Sequence, residues 1–142
     1  MTITLQDALA RWPGAEVYRP GDGPDLNAEI IALMRRGAKT ASCAALCEFE
    51  GGEAMPEVGR VDIATDWQAR PQLATRTIAL ERMKYREMDA ARVPPQGEFD
   101  DLEAWRRGYA AYLDRITDFT PDTELLFERF EVVEDFGSDQ HV

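Results

Sequence analysis

The side chains best suited to chemistry lie in the segment Gly37–Ser42, of sequence GAKTAS, where a lysine and two hydroxyl residues follow a glycine. A neutral lysine amine can accept a proton from a hydroxyl, and this pairing activates the nucleophile of Ser/Lys hydrolases. A charged lysine instead supplies a fixed cation for a phosphate or carbonyl oxygen. Lys39 and Ser42 are therefore candidates for either role, the alternative being an exposed lysine beside strand hydroxyls.

The composition leaves little room for histidine chemistry. The one histidine, His141, is the penultimate of the 142 residues. Ser-His-Asp, Cys-His and His-zinc sites all need an imidazole held inside the fold. General acid–base chemistry would therefore fall to Lys, Asp, Glu, Tyr or Cys side chains.

The two cysteines, Cys43 and Cys47, do not predict a disulfide or a metal site. Four residues apart on an extended segment, their Cα atoms would lie roughly 13 Å apart, too far for a disulfide. Without further Cys or His residues they also make a poor zinc signature. We expect two small apolar fillers on one strand face, a reducing cytoplasmic compartment, and neither a metal nor a cofactor.

The formal net charge of −11 is unevenly distributed. Residues 70–92 carry +3, whereas residues 1–69 carry −5 and residues 93–142 carry −9. Because an acidic chain repels phosphate backbones, strong non-specific DNA binding is not expected. The positive segment either receives one anionic group or consists of ordinary surface charges. No apolar run approaches the ~18 residues of a membrane span, and no signal peptide is predicted.

Capping residues and apolar spacing predict three main helices. N-caps are expected at Thr4, Asp25 and Asp101, and Gly37 is expected to end the second helix. Residues 85–93 predict a further short helix. The inward face of the last helix is expected to contain Ala104, Trp105, Tyr109, Tyr112, Leu113 and Ile116.

Strands are predicted for residues 40–49, around 61–63, for 73–83 and for 123–134, from alternating apolar residues and β-formers. No repeat or composition break marks a second domain, so one domain over residues 1–142 is expected. Its core would span about 16–136, with 137–142 as a frayed tail. Strands in the middle and helices at the periphery predict an α+β fold with a curved, mostly antiparallel sheet or small barrel.

Several side chains outside the lysine segment are candidate ligand contacts. Tyr18 and Trp67 lie beside predicted turns and are suited to stack on a base. Trp105 lies on an apolar helix face and is expected in the core. Arg76, in the middle of a strand, either points to solvent or contacts an anion in a cleft.

From Tyr18 to Val133 the chain resembles the ASCH domain family, small relatives of the PUA fold. The segment Gly37–Ser42 is similar to the family's G-x-K-T-x-T/S signature. Each matching piece is short, and their joint order carries the resemblance. The other pieces are Gly21-Asp22, Pro56-x-Val58-Gly59, Arg76-Thr77, Leu102-x-x-Trp105-Arg106 and Glu128-x-Phe130-x-Val132-Val133.

The resemblance implies a PUA-like mixed β-barrel with a cleft over the Lys39 loop. Family members are proposed to bind RNA or modified nucleosides; some are amidohydrolases of an acylated cytidine and others are reported as ribonucleases. In the amidohydrolase branch the signature lysine, the hydroxyl residue three positions later and a downstream glutamate form the catalytic set. The first two correspond to Lys39 and Ser42, and Thr40 between them is a candidate ligand contact.

The chain departs from the family pattern at three places. The family's A-x-x-E-G stretch is replaced by residues 91–98, in which Glu98 is the nearest substitute for the expected glutamate. Glu98 either enters the cleft or is a solvated loop charge. Tyr109 stands where the family's W-R-x-x-H pattern has histidine, and it remains a candidate ligand contact. Arg60 stands where an aspartate is common.

The leading hypothesis is a cleft for RNA or for a modified nucleoside or nucleotide, with hydrolysis of an amide or a phosphodiester as its chemistry. The catalytic candidates are Lys39, Ser42 and Glu98. A non-catalytic, RNA-associated or regulatory binding domain with a degenerate site is the alternative. A third reading, an acidic protein-interaction domain, follows from the charge of residues 93–142.

Overall fold

The computed structural model describes residues 3–52 and 54–137. These residues form three α-helices, five strands and short 3-10 helices at Leu46–Gly51, Tyr85–Glu87 and Pro94–Gln96. The order along the chain is α1 Leu5–Arg11, β1 Val17–Tyr18, α2 Pro24–Arg35, β2 Ala41–Ala45, β3 Val61–Thr65, β4 Pro71–Lys84, α3 Leu102–Ile116 and β5 Glu124–Asp135.

All five strands belong to one sheet, in the order β1-β3-β4-β5-β2. β1 pairs with β3 in parallel, and every other neighbouring pair is antiparallel. Register shifts interrupt the β3–β4 and β4–β5 ladders, and such irregularities let long strands bend. Within the described ranges the edge strands β1 and β2 do not pair with each other. The predicted α+β class with a curved, mostly antiparallel sheet is confirmed. Of the two predicted forms, the sheet is open and does not close into a barrel in the described residues.

The helices cover both faces of this sheet. Successive strand residues point to opposite faces, so Ile63 and Ala74 meet α1 at Ala8 on one face. Their neighbours Ala64 and Leu73 pack with α2 on the other face. Helix α3 packs through a separate apolar cluster over β2, β5 and the far end of β4.

The predicted caps are confirmed at two of three helices. The Thr4 and Asp101 side chains accept hydrogen bonds from the first turns of α1 and α3. The Asp25 cap is wrong, because α2 begins at Pro24 and its N-cap is Gly23. Proline suits the first helical position, where its fixed φ is helical and no N–H is needed.

Two predicted elements are shorter than expected. The strand predicted for residues 40–49 ends at Ala45, where the Glu48 carboxylate accepts the Ala45 N–H at 2.8 Å and a 3-10 helix begins. Cys43 and Cys47 therefore do not share a strand, and both thiols are free. The helix predicted for 85–93 is only the 3-10 turn Tyr85–Glu87, closed by a similar contact from Glu87 to the Lys84 N–H at 2.7 Å.

Further differences concern the edges of the fold. Ile116 is 41% exposed, because it lies at the end of α3 beyond the packed face. β1 was not predicted, since two residues are too few to show alternation. The predicted frayed tail, residues 137–142 with His141, lies outside the described residues except for Gly137, which is buried and donates its N–H to the Asp135 carboxylate at 2.9 Å. Among the helices described, none is long and apolar enough to cross a membrane.

Candidate functional site

A cavity of about 640 Å³ lies between α2, α3 and one face of the sheet. Its volume is in the range of small-molecule sites. Every strand contributes at least one polar side chain to its lining: Tyr18 from β1, Ser42 from β2, Asp62 from β3, Thr75 from β4 and Glu128 from β5.

Lys39 is the buried cation of this cavity. Its side chain is only 4% exposed, and its Nζ donates to the Glu98 Oε2 at 2.7 Å and to the Gln96 carbonyl at 3.0 Å. An ammonium group has three N–H donors, so one donor has no partner among the described residues. Glu98 is exposed as a residue, but its side chain is 26% exposed and points to Lys39. The Glu98 side chain therefore lies in the cleft, rather than in solvent as the other alternative had it.

The loop 94–98 holds this ion pair by close backbone contact with the lysine segment. The Thr40 N–H donates to the Pro95 carbonyl at 2.7 Å. Gly97 has a φ of +74°, and a Cβ there would stand 2.7 Å from the Ala38 carbonyl oxygen. Only glycine fits here without displacement of the backbone. The close approach of the two segments brings the Gln96 carbonyl and the Glu98 carboxylate within hydrogen-bonding distance of the Lys39 amine.

Ser42 and Glu128 face each other across the β2–β5 ladder. They are direct partners in the antiparallel register, and both line the cavity. Side chains at such positions lie on the same face with Cβ atoms about 4.5–5.5 Å apart. The Ser42 hydroxyl has no hydrogen-bond partner within residues 3–52 and 54–137, and it is available to a ligand.

Glu128 is a half-buried carboxyl with an altered acidity. Burial raises its pKa above the usual 4.5, and the charge of Asp62 adds to this rise. The hydrogen bond from the Thr77 hydroxyl to Glu128 Oε2, at 2.5 Å, and the charges of Arg60 and Lys39 oppose the rise. The result is a carboxyl that holds its proton to higher pH than an ordinary glutamate.

Aromatic rings form the α3 side of the cavity. Tyr109 lines it and stacks on the fully buried Trp105, with ring centroids 4.8 Å apart and an interplanar angle of 12°. Its hydroxyl donates to the Cys43 carbonyl, and burial holds the pKa of the phenol well above 10.0. Trp105 is a core residue, as predicted, and donates from Nε1 to Gln96 Oε1 at 3.0 Å.

Tyr18 lies in the cavity wall at the α2 side. Its hydroxyl and that of Thr75 are 2.8 Å apart, and burial raises the pKa of the phenol. Burial likewise raises the pKa of the Cys43 thiol to about 12. A thiol is nucleophilic only as the thiolate, so neither of these groups supplies an anion near neutral pH.

Arg60 and Asp62 form an ion pair at the same side. Arg60 Nε and Nη2 donate to the two Asp62 oxygens at 2.8 and 3.1 Å, and Nη1 donates to Glu57 Oε2 at 2.7 Å. Its remaining contact is the Met55 carbonyl at 3.0 Å. The hydrogen bond with Asp62 is the main cause that raises the pKa of Arg60. The arginine that replaces the family's usual aspartate is thus bound internally.

Three predicted contact residues lie away from the cavity lining. Thr40 is exposed beside it. Trp67 is covered by the Arg19 guanidinium, 3.5 Å from the ring centroid. Arg76 forms an ion pair with Glu131 at 3.2 Å on the surface, so its side chain points to solvent and not into the cleft. The structure therefore brings together Lys39, Ser42, Glu98, Tyr18 and Tyr109.

The positive segment 70–92 consists largely of paired surface charges. This agrees with the alternative of ordinary surface charges rather than a site for one anionic group. Four of the segment's five arginines face carboxylates from several elements, and the N···O distances are 2.7 to 3.2 Å. The pairs are Arg70–Asp66, Arg76–Glu131, Arg86–Asp122 and Arg92–Glu81.

Glu128 is the main site residue that sequence reasoning missed. In the sequence it belongs to the closing strand, in the segment Glu128-x-Phe130-x-Val132-Val133 that resembles the family. Its signal is a glutamate that directly follows the buried apolar run Leu125, Leu126 and Phe127 in the strand. Such a position favours a functional carboxyl, but its strand partner Ser42 is known only from the register. Among residues 3–52 and 54–137, no cluster of three His, Cys, Asp or Glu side chains could hold a metal ion.

The chain belongs to the ASCH domain family: the family model for the ASCH domain matches residues 16–134. The fold is shared with an ASCH domain from Lactobacillus crispatus JV V101, at 22% identity and a TM-score of 0.77, over 92% of this chain and 86% of that one. A protein from Enterococcus faecalis V583 is similar at 25% identity and a TM-score of 0.81, over 96% and 90%. No curated protein matches the chain.

Proposed function

We propose that this ASCH domain binds an uncharged nucleoside-type ligand in the cavity and hydrolyses an amide bond on it. Lys39 and Ser42 would be the reacting groups and Glu98 the residue that positions Lys39. The observation that carries the proposal is the buried Lys39 amine, held at 2.7 Å by Glu98 with one donor left over, in the same cavity as the unpartnered Ser42 hydroxyl.

The charge of the cavity favours an uncharged ligand over RNA. Among the described lining residues, seven carboxylates exceed four basic side chains by three formal negative charges. Arg60 is already bound to two carboxylates, so it is not available to a phosphate. Because phosphate binding depends on available basic groups, a phosphodiester chain would be repelled here.

The aromatic lining supports a planar ligand. Five rings border the cavity: Tyr18, Phe49, Phe99, Tyr109 and Tyr112. Stacking of a base on an aromatic ring contributes about 1–3 kcal/mol and is tolerant of base identity. A nucleobase held on such rings would present an exocyclic amide towards Lys39 and Ser42.

The chemistry follows from donor positions. The third Lys39 N–H can stabilise the oxyanion that forms when a nucleophile attacks the amide carbonyl. Ser42 supplies a hydroxyl that either attacks the carbonyl carbon or orients the attacking water. Glu98 keeps the amine in place throughout, because its carboxylate accepts one of the ammonium hydrogen bonds.

The test compares the wild-type chain with Lys39→Ala and Ser42→Ala on a panel of N-acylated nucleosides, the corresponding nucleotides and short RNAs. We expect turnover of at least one acylated nucleoside, lost in both variants and weaker for the phosphorylated form. Lys84→Ala is the control, since Lys84 is the other lysine and is paired at the surface with Asp122. Failure of the wild-type chain to hydrolyse any member of the panel would contradict the proposal.

The alternative, a non-catalytic binding domain, predicts a different result on the same panel. It would bind a nucleoside without turnover, and binding would weaken in Lys39→Ala.

We also propose a cytoplasmic location, which the free thiols of Cys43 and Cys47 favour. Fractionation of cells that express the full chain tests that location.

A further inference from the structure

We propose that Glu128 is a further catalytic residue of this site, and that it accepts the proton of the Ser42 hydroxyl when Ser42 attacks an acyl carbonyl. The inference rests on the proposed function for its natural substrate. It concerns a residue outside the set Lys39, Ser42 and Glu98, and its chemistry can be tested with an artificial acyl donor.

The register of the sheet brings the two side chains together. Ser42 and Glu128 are partners in an unbroken antiparallel ladder that runs from Ala41 opposite Arg129 to Ala45 opposite Leu125. Both side chains line the cavity. A glutamate has a longer side chain than a serine, so its carboxyl can reach across the about 5 Å that separates facing Cβ atoms in such a pair.

Both groups have spare hydrogen-bonding capacity. Thr77 donates to Glu128 Oε2, and within residues 3–52 and 54–137 no donor is bound to Oε1. The Ser42 hydroxyl is likewise unpartnered in that part of the chain. No hydrogen bond joins the two groups in the described part of the chain, so the proposed step includes a side-chain rotation that brings the facing Ser42 hydroxyl to Glu128 Oε1.

The other two candidate bases are already committed. The Lys39 amine acts as a donor to Gln96 and Glu98, and an ammonium group has no lone pair with which to accept a proton. The Glu98 carboxylate is bound to that amine at 2.7 Å. Among the carboxylates lining the cavity, Glu128 is the one placed directly opposite Ser42.

The charged and titratable groups around Glu128 set the pH at which it can act. Burial and Asp62 raise the pKa of its carboxyl, whereas Thr77, Arg60 and Lys39 lower it, and the net direction is upward. Tyr18 on β1 also faces it, with a phenol that burial keeps protonated. The base form is therefore gained as pH rises through a value above the usual 4.5, so the rate should rise over the same range.

The proposed step is balanced in atoms and electrons. The Ser42 Oγ–H bond breaks, its proton moves to Glu128, and the oxygen lone pair forms a C–O bond to the acyl carbon. The carbonyl electrons move to the oxygen, which receives a hydrogen bond from Lys39. On collapse the bond to the leaving group breaks, an amine leaving group takes the proton from Glu128, and water later releases the acyl group from Ser42.

The experiment uses p-nitrophenyl acetate as the acyl donor and follows acetylation of Ser42 by peptide mass spectrometry, alongside p-nitrophenolate release. We expect acetylation of Ser42 in the wild-type chain and a rate about 100-fold lower in Glu128→Gln, the usual range for loss of a general base. The acid limb of the wild-type pH profile should be absent in Glu128→Gln. Glu124→Gln is the matched control, because Glu124 is exposed at the start of the same strand.

The outcomes separate this inference from the proposed function. Equal Ser42 acetylation in wild type and Glu128→Gln would overturn the role of Glu128, even if acylated nucleosides are hydrolysed. No acetylation of Ser42 in the wild-type chain would overturn it too. Acetylation that depends on Glu128, together with an inactive nucleoside panel, would support this inference and contradict the proposed substrate. The wild-type pH profile needs no variant, so it does not depend on the folding of Glu128→Gln.

Discussion

The two sides of the cavity each hold a basic side chain against carboxylates, but they differ in how completely those groups are satisfied. At the α2 side, all three guanidinium nitrogens of Arg60 are used, by Asp62, Glu57 and the Met55 carbonyl. Asp62 also accepts the Glu16 N–H at 3.0 Å. This side is a closed network.

At the Lys39 side the network is incomplete. One Lys39 N–H, the Ser42 hydroxyl and one Glu128 oxygen have no partner in the part of the chain that the structure describes. Closed networks of partly buried charges hold a fold together, and polar groups left open in a cavity cost stability unless a ligand completes them. The contrast supports the proposal that Lys39 has a chemical role, whereas Arg60 holds the fold together.

The largest expected effect comes from exchanging the two basic residues for methionine. Lys39→Met removes an oxyanion donor, so turnover of a substrate found in the panel should fall by about 10²–10³. Arg60→Met should instead lower the free energy of unfolding by about 2 kcal/mol, less than for a fully buried pair because the Arg60 side chain is 19% exposed. Steady-state kinetics and urea unfolding measure the two effects.

Lys84→Met is the control for both measurements and should behave as wild type, since its ion pair is at the surface. A loss of turnover in Arg60→Met as large as that in Lys39→Met, with the fold intact, would contradict the division between the two sides.

The next expected effect is a difference between two glycines with similar backbone conformations: Gly97 at the Lys39 side of the cavity and Gly59 at the Arg60 side. Gly97→Ala brings a Cβ to within 2.7 Å of the Ala38 carbonyl, whereas Gly59→Ala meets no atom within 4 Å. Both have positive φ, +74° and +89°. Gly59→Ala should therefore lower the free energy of unfolding by only about 1–2 kcal/mol, and Gly97→Ala by about 3 kcal/mol or more.

Gly97→Ala should also reduce turnover, because the displaced loop carries Glu98 and the Gln96 carbonyl away from Lys39. Gly59→Ala should leave turnover unchanged. Urea unfolding and activity assays on the two variants test this, and equal losses of stability would show that the contact with Ala38 is not tight.

The smallest effect concerns Glu128 and is a gain. A carboxyl with a raised pKa in the folded state binds its proton more tightly than in the unfolded chain, so stability is lost as pH rises through that pKa. Glu128→Gln removes this penalty and can keep the hydrogen bond from Thr77. It should raise the free energy of unfolding at pH 7 by about 1 kcal/mol or less, and by nothing below the unfolded pKa of 4.5.

Urea unfolding of Glu128→Gln and wild type at pH 4 and pH 7 measures this gain, with Glu124→Gln as the exposed control. A loss of stability at pH 7 would mean that the ionised carboxylate is satisfied in the fold, which would remove the reason to give it a chemical role.

The sequence predicted well those features that depend on near neighbours. Thr4 and Asp101 cap their helices because the capping bond joins residues three apart. The end of α2 just before Gly37, whose φ is +79°, and the order of the long strands follow from local pattern as well. The strand predicted through Phe49 failed, because the Glu48 side chain competes for the Ala45 N–H and starts a 3-10 helix.

Local spacing predicted one pair of the candidate site, whereas Glu98, Tyr18 and Tyr109 were separate candidates whose shared cavity the sequence could not show. Lys39 and Ser42 were found together because they are three residues apart. Trp67 and Arg76 were placed among the ligand contacts, yet Arg19 and Glu131 occupy them at the surface. Their partners come from distant segments, which no local pattern can reveal.

Composition and local spacing by themselves determined the α+β class, the caps Thr4 and Asp101, the presence of a single histidine, at position 141, and the lysine–hydroxyl segment. Tertiary structure alone decided that Glu98 meets Lys39, 59 residues away, and that Glu128 faces Ser42 across β2 and β5. Helix caps and strand patterns arise from interactions within a few residues. The acidity and pairing of a buried group depend instead on which distant segments remove it from water, and packing of the whole domain determines that.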